Sequence, residues 1–142
     1  MEGGPSRAPI RLVRRTSFSA SHRIWRSDWD EARNRKVFGA SASPLSHGHN
    51  YELDVCVTGD VDPETGMLVD LKWLKEVLIR EIEARFDHRD LNDDTPYFKD
   101  APPTAERVAQ VVFELLEAAL PAGMLHAVRL RPLRDLEVEV TR

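Results

Sequence analysis

From Tyr51 to Thr58 the chain alternates without a break. Tyr51, Leu53, Val55 and Val57 fall on one side, and Glu52, Asp54, Cys56 and Thr58 on the other. A period of two is what a β-strand imposes, because successive side chains leave opposite faces of the sheet. An earlier stretch, about Ile10 to Ser21, carries a similar pattern, with Phe18, Ala20 and His22 on alternate positions. After the second strand, "DPETGML" supplies turn chemistry, with Pro63 early and Gly66 available for positive φ.

At Asp70 the period changes. Leu71, Leu74, Val77, Leu78, Ile82 and Phe86 follow helical spacing behind Asp70 as N-cap. A second helix starts near Thr104, with Val108, Val111, Val112, Leu115, Leu116, Ala119 and Leu120 as its apolar stripe, and "PAG" stops it. Two short alternating strands close the chain, turning near Arg134 and Asp135. The order is ββααββ. Strands and helices are grouped rather than interleaved, which favours α+β with an antiparallel sheet. Residues 1–9, "MEGGPSRAP", read as a flexible leader, and 10–142 as one domain, the size that 142 residues allow. The stretch "RIWRSDWDEARNRKVFGASASPLS" has no clean period, and loops of that length are often functional or disordered.

Composition excludes several classes. A net charge of −4 with scattered basic residues argues against a nucleic-acid surface. Apolar runs are too short for a membrane span or a secretory signal. Cys56 is the only cysteine, so no intramolecular disulfide can form and a reducing cytoplasm is expected.

The chemistry concentrates in "PLSHGHNYELDV". His47 and His49 lie two apart at the mouth of the second strand and therefore share a face. Three other histidines exist, at 22, 88 and 126. If the first two strands pair antiparallel, His22 at the end of the first comes beside His47 and His49. Three imidazoles with an open fourth position form the catalytic zinc arrangement. The plainer alternative is three unrelated polar residues at strand ends.

"SFSASH", "HGHNYELDV", "GDVDPETGMLVDLKWLK", "FDHRDLND" and "PTAE", in this order and spacing, closely resemble the 6-pyruvoyltetrahydropterin synthase family, which includes the 6-carboxytetrahydropterin synthases of queuosine biosynthesis. The resemblance runs from about Phe18 to Val128. It implies a T-fold, an antiparallel sheet with two helices on one face, whose subunits assemble into a barrel, usually a homohexamer. It implies a zinc-dependent lyase acting on 7,8-dihydroneopterin triphosphate, a dihydropterin, with His22, His47 and His49 as metal ligands. His88 is cast as a proton shuttle and Asp87 as its orienting partner. Thr104 and Glu106 are cast as pterin contacts, compatible with roles as N-cap and first-turn acid of the second helix.

The sequence departs from the family at two places. The family's cysteine before H-G-H is absent; Ser41 matches its position in the form with the longer spacing, and Ser43 in the shorter form. A serine hydroxyl is a far poorer base than a thiol of pKa about 8.5. Cys56, mid-strand, reads as a packed residue. The family's pterin-anchoring glutamate falls on or near Pro132, with Glu137 and Glu139 following on one face of the last strand. The leading expectation is therefore the lyase. The alternative is a diverged zinc-containing protein that binds a pterin or another metabolite without turnover. Trp25 and Trp29 either stack on a ligand ring or anchor the long loop, and the anchor is the simpler role.

Overall fold

The computed structural model describes residues 8–142, so most of the expected leader, residues 1–9, lies outside the described residues. Strands β1 (Arg11–His22) and β2 (His47–Thr58) pair antiparallel over their full length, from Arg11 opposite Thr58 to His22 opposite His47. Strand β4 (Leu125–Leu133) pairs antiparallel with β2, and β5 (Leu136–Thr141) with β4 across the Arg134–Asp135 turn. A two-residue strand β3 (Arg89–Asp90) runs parallel to β1, giving the sheet order β3-β1-β2-β4-β5.

The α+β architecture follows the sequence expectation, with two corrections to ββααββ. First, the sheet is mixed, because β3 adds a short parallel edge. Second, the long loop contains a helix, α1 (Glu31–Phe38). It is held by polar contacts and has no apolar stripe, so hydrophobic periodicity could not reveal it. Asp30 caps it by accepting from the Arg33 N–H at 2.7 Å, and Glu31 pairs with Arg35 one turn on. Its one buried residue, Asn34, exchanges hydrogen bonds with both backbone groups of Arg26. Trp29 stacks on Phe38 with centroids 5.5 Å apart and takes the Arg33 guanidinium on its ring face, which is the anchoring role.

Helix α2 (Leu71–Leu78) passes through a π turn (Ile79–Glu83) into α3 (Ala84–Phe86). Asp70 caps it through the amides of Lys72 and Trp73. The buried run Leu74, Leu78, Ile82, Phe86 steps by four, more than the 3.6 of an α-helix. The wider π turn absorbs the excess and keeps the stripe on the sheet. Helix α4 (Ala105–Ala119) begins at Thr104, whose side chain accepts from the Arg107 N–H. Both helical stripes pack with Phe18, Tyr51, Leu53, Val55, Val57, Val128 and Leu130 in one core. Leu71, expected in that stripe, is 46% exposed. Cys56 is buried, as a packed residue should be.

Asp54 is also buried and belongs to β2's other face. Arg131 grips it with two guanidinium nitrogens at 2.9 and 3.0 Å, and Arg15 adds a third contact at 3.2 Å. No helix among the described residues is long and apolar enough to cross a membrane.

Candidate metal and proton-transfer site

The β1–β2 register ends with His22 directly opposite His47, and His49 stands one step inward on the same face. This is the core face of the sheet at its rim. The three rings crowd edge to face, with centroids 4.7 to 4.8 Å apart. His22 Nε2 lies 3.2 Å from His47 Nε2 and 3.1 Å from His49 Nε2. A tetrahedral zinc ion at about 2.0–2.1 Å from each nitrogen would set such separations near 3.3 Å. The three side chains thus form a nitrogen donor set that fits a metal ion of the zinc class, each offering one atom within 4.8 Å of the others.

Hydrogen bonding prepares that set. His22 is buried, and its Nδ1 lies 2.8 Å from the Pro103 carbonyl, an acceptor only. The Nδ1 proton must therefore point to Pro103, leaving Nε2 as a bare lone pair aimed at the other two rings. The Tyr51 hydroxyl sits 3.4 Å from the same Nδ1, and burial raises the phenol's pKa, keeping it protonated. Burial also lowers the His22 pKa below its ordinary 6.5, and the neighbouring His47 and His49 act in the same direction. His49 is lowered by burial and by His47. Both rings are thus held in the neutral form that ligates metal.

His88 lines an open cleft on the other face of the sheet from the three rings, where Ser19 Oγ donates to Asn50 Oδ1. The cleft, about 510 Å³, is lined by Ser19, Gly48, His49, Asn50, His88 and Asp90 among others. His88 has φ of +59°, a left-handed conformation costly for a residue with a side chain. Its N–H donates to Ser19 O at 2.7 Å, while Asp87 Oδ1 accepts from the Ser19 N–H at 2.8 Å. Strand β1 therefore grips this pair on both backbone groups of Ser19. The second Asp87 oxygen lies 3.5 Å from His88 Nε2, and the imidazole is largely exposed to the cleft.

The other expected site residues are not gathered here. Ser41 is exposed at the end of a 3₁₀ turn, Gly39–Ser41, and is not among the residues lining the cleft. Thr104 caps α4 and Glu106 is exposed in its first turn; neither lines the cleft. Pro132 lines a second cleft, with Glu52, Arg131 and Arg134, that meets the first at Gly48, His49 and Asn50. Glu137 and Glu139 pair with Arg131 and Arg129 as cross-strand partners in the edge hairpin. Sequence reasoning missed the Pro103 carbonyl, the Tyr51 hydroxyl and Asp90. Only Tyr51 left a signal, since it continues the period of His47 and His49.

Residues 11–140 match the model of the family described as 6-pyruvoyl tetrahydropterin synthase. The 6-pyruvoyl tetrahydrobiopterin synthase of Homo sapiens is 41% identical over 128 residues, covering 90% of this chain and 88% of that protein. A 6-carboxy-5,6,7,8-tetrahydropterin synthase of Bacillus subtilis is 32% identical over 84 residues, covering 57% of this chain and 55% of that one. The solved 6-pyruvoyl tetrahydropterin synthase of Caenorhabditis elegans superposes with a TM-score of 0.87 at 32% identity, covering 94% of this chain and 96% of that one.

Proposed function

We propose, for a chain that belongs to the 6-pyruvoyl tetrahydropterin synthase family, a zinc-dependent lyase that converts 7,8-dihydroneopterin triphosphate to a tetrahydropterin with release of triphosphate. The observation that carries this reading is the convergence of three imidazole nitrogens, all within 4.8 Å of one another, at the rim of the sheet's core face. The greater identity and coverage of the human 6-pyruvoyl relative, against the Bacillus 6-carboxy relative, favours the pyruvoyl product.

In this reading His22, His47 and His49 hold the metal. Bound zinc would supply Lewis acidity to the oxygens of the substrate side chain, acidifying the adjacent C–H. His88 moves the protons. Its Nε2 faces Asp87, so Nδ1 is the nitrogen free to take a proton from the side-chain carbon and deliver it elsewhere on the substrate. Asp87, fixed by the Ser19 amide, orients the ring. Triphosphate loss and redistribution of hydrogen within the substrate balance without an external hydride carrier. Ser41 stands in the position of the family's cysteine, and Thr104 with Glu106 brings the start of α4 toward the pterin.

A homo-oligomer, a hexamer in the family pattern, accompanies this reading. Strands β3 and β5 leave the sheet open at both ends, and pairing between copies would cover those edges. A monomeric mass at micromolar concentration would overturn it.

One observation favours the second reading, metabolite binding without turnover. Pro132 stands on or near the position expected for the carboxylate that would grip the pterin. The two separate on incubating zinc-loaded protein with 7,8-dihydroneopterin triphosphate and identifying products by chromatography and mass. The lyase reading expects a tetrahydropterin product that the His88→Ala variant does not form. Saturable binding with unchanged substrate would establish the alternative.

A further inference from the structure

The segment that carries His88 also brackets the metal ligands. Arg89 and Asp90 pair in parallel register with Ala20 and Ser21, and the Leu91 N–H donates to Ser21 O at 2.8 Å. Asp90 is thereby placed beside Ser21, the residue before His22. Its Oδ2 accepts from Ser21 Oγ at 2.8 Å and from Ser46 Oγ at 2.6 Å. Ser46 immediately precedes His47. On the far flank of His22, Asn92 accepts from the Arg23 N–H at 2.9 Å and donates to the Arg23 carbonyl at 3.1 Å.

We propose that Asp90 is a positioning residue for the metal site, a strap whose one oxygen joins Ser21 to Ser46 and so sets the approach of His47 to His22. The inference rests on the reading that the triad holds a metal ion. The pair His22–His47 is the last of the β1–β2 register, and Ser46 already lies outside β2. A strand end of this kind frays unless something beyond the ladder ties it. His47 and Ser46 are both exposed, so packing does not supply that tie. The Asp90 carboxylate does. Its other oxygen accepts from the Asn92 and Asp93 amides, both at 3.1 Å, which fixes the carboxylate plane. Partial burial pushes its pKa up, but the bonds from Ser46, Ser21 and the two amides outweigh this and hold it below the usual carboxylate range. An ionised carboxylate only accepts, so both serine hydroxyls must donate to it, and charge-assisted bonds of this kind are the stronger class.

The strap predicts a loss of metal affinity that does not follow from loss of folding. Metal-free wild type, Ser46→Ala, Ser46→Thr and Asp90→Asn proteins would be titrated with zinc against a chromophoric chelator, and with cobalt(II) by visible absorption. We expect one equivalent bound by wild type, with affinity lower by about ten- to a hundredfold in Ser46→Ala and Asp90→Asn. The asparagine amide must set its N–H₂ either against the two backbone N–H groups or against the two hydroxyls. Ser46→Thr keeps the hydroxyl and should bind like wild type. Ser46→Ala removes only an exposed hydroxyl, so the melting temperature of its metal-free form should be unchanged while its cobalt spectrum shifts. Ser46→Ala added to Asp90→Asn should cost little more, because both break the same tie. Wild-type affinity and spectrum in Ser46→Ala and Asp90→Asn would overturn the strap with the metal site intact. A wild type that binds neither metal would overturn the metal reading and the strap with it.

Discussion

The Pro103 carbonyl lies 2.8 Å from His22 Nδ1, and that one contact decides which nitrogen of His22 faces His47 and His49. A backbone acceptor cannot take the other tautomer. The loop that caps α4 therefore also sets the protonation of a ring on β1, and the helix start and the histidine cluster are coupled through a single peptide group.

If this donor set holds zinc, the metal should stabilise the fold. Zinc at a hundred times its dissociation constant should add about 2.7 kcal/mol, and a chelator should remove that gain. His22→Ala should abolish both the binding and the shift. Thermal melts of wild type and variant, with zinc and with chelator, measure it; a melting temperature indifferent to zinc would count against the site.

His88 occupies a left-handed backbone position that suits glycine better than histidine. His88→Gly should therefore leave stability unchanged or raise it by up to about 1 kcal/mol. Its turnover should fall by at least about a hundredfold while its metal content stays the same. Denaturant midpoints, metal analysis and kcat together test this. A variant that loses stability and keeps turnover would show that the imidazole serves structure instead.

Ser41 keeps the cysteine's place in the chain without its acidity. Ser41→Cys should raise kcat, by about tenfold or more, since a thiol near pKa 8.5 yields thiolate at neutral pH and a hydroxyl does not. Metal content should be unchanged. A rate equal to wild type, measured as initial triphosphate release, would remove residue 41 from the proton path.

The acid stability of the fold should depend on Asp54. Hydrogen bonds from Arg131 hold its carboxyl below the ordinary 3.8, so the unfolded state binds the proton more readily. Its contribution is present above about pH 4 and declines as pH falls through the folded-state value. Asp54→Ala should cost about 3 kcal/mol at neutral pH, because it leaves Arg131 without its main partner. The gap between wild type and variant should narrow steadily in denaturant titrations between pH 5 and about pH 2. A gap constant across that range would mean the carboxyl is not depressed.

The two long strands and the triad were legible because both write themselves in a period of two. Tyr51 to Val57 gave the buried face, and His47 with His49 continued it outward, so antiparallel pairing alone could bring in His22. Helices α2 and α4 showed through their apolar stripes and through Asp70 and Thr104 at their starts. Helix α1 did not, because Asn34 and Asp30 hold it by polar contacts that leave no hydrophobic period. Strand β3 is two residues long, too short for any pattern. The Pro103 carbonyl is invisible to side-chain reasoning, since every residue carries one. Asp90 sat in a run of turn-forming residues, and only the parallel register with Ser21 distinguished it from its neighbours.

The most direct test of the account adds zinc stepwise to metal-free protein and follows triphosphate release from 7,8-dihydroneopterin triphosphate. The account predicts a rate that rises in proportion to zinc and levels off at one equivalent per chain. Full turnover without added metal, or none at one bound equivalent, would contradict it.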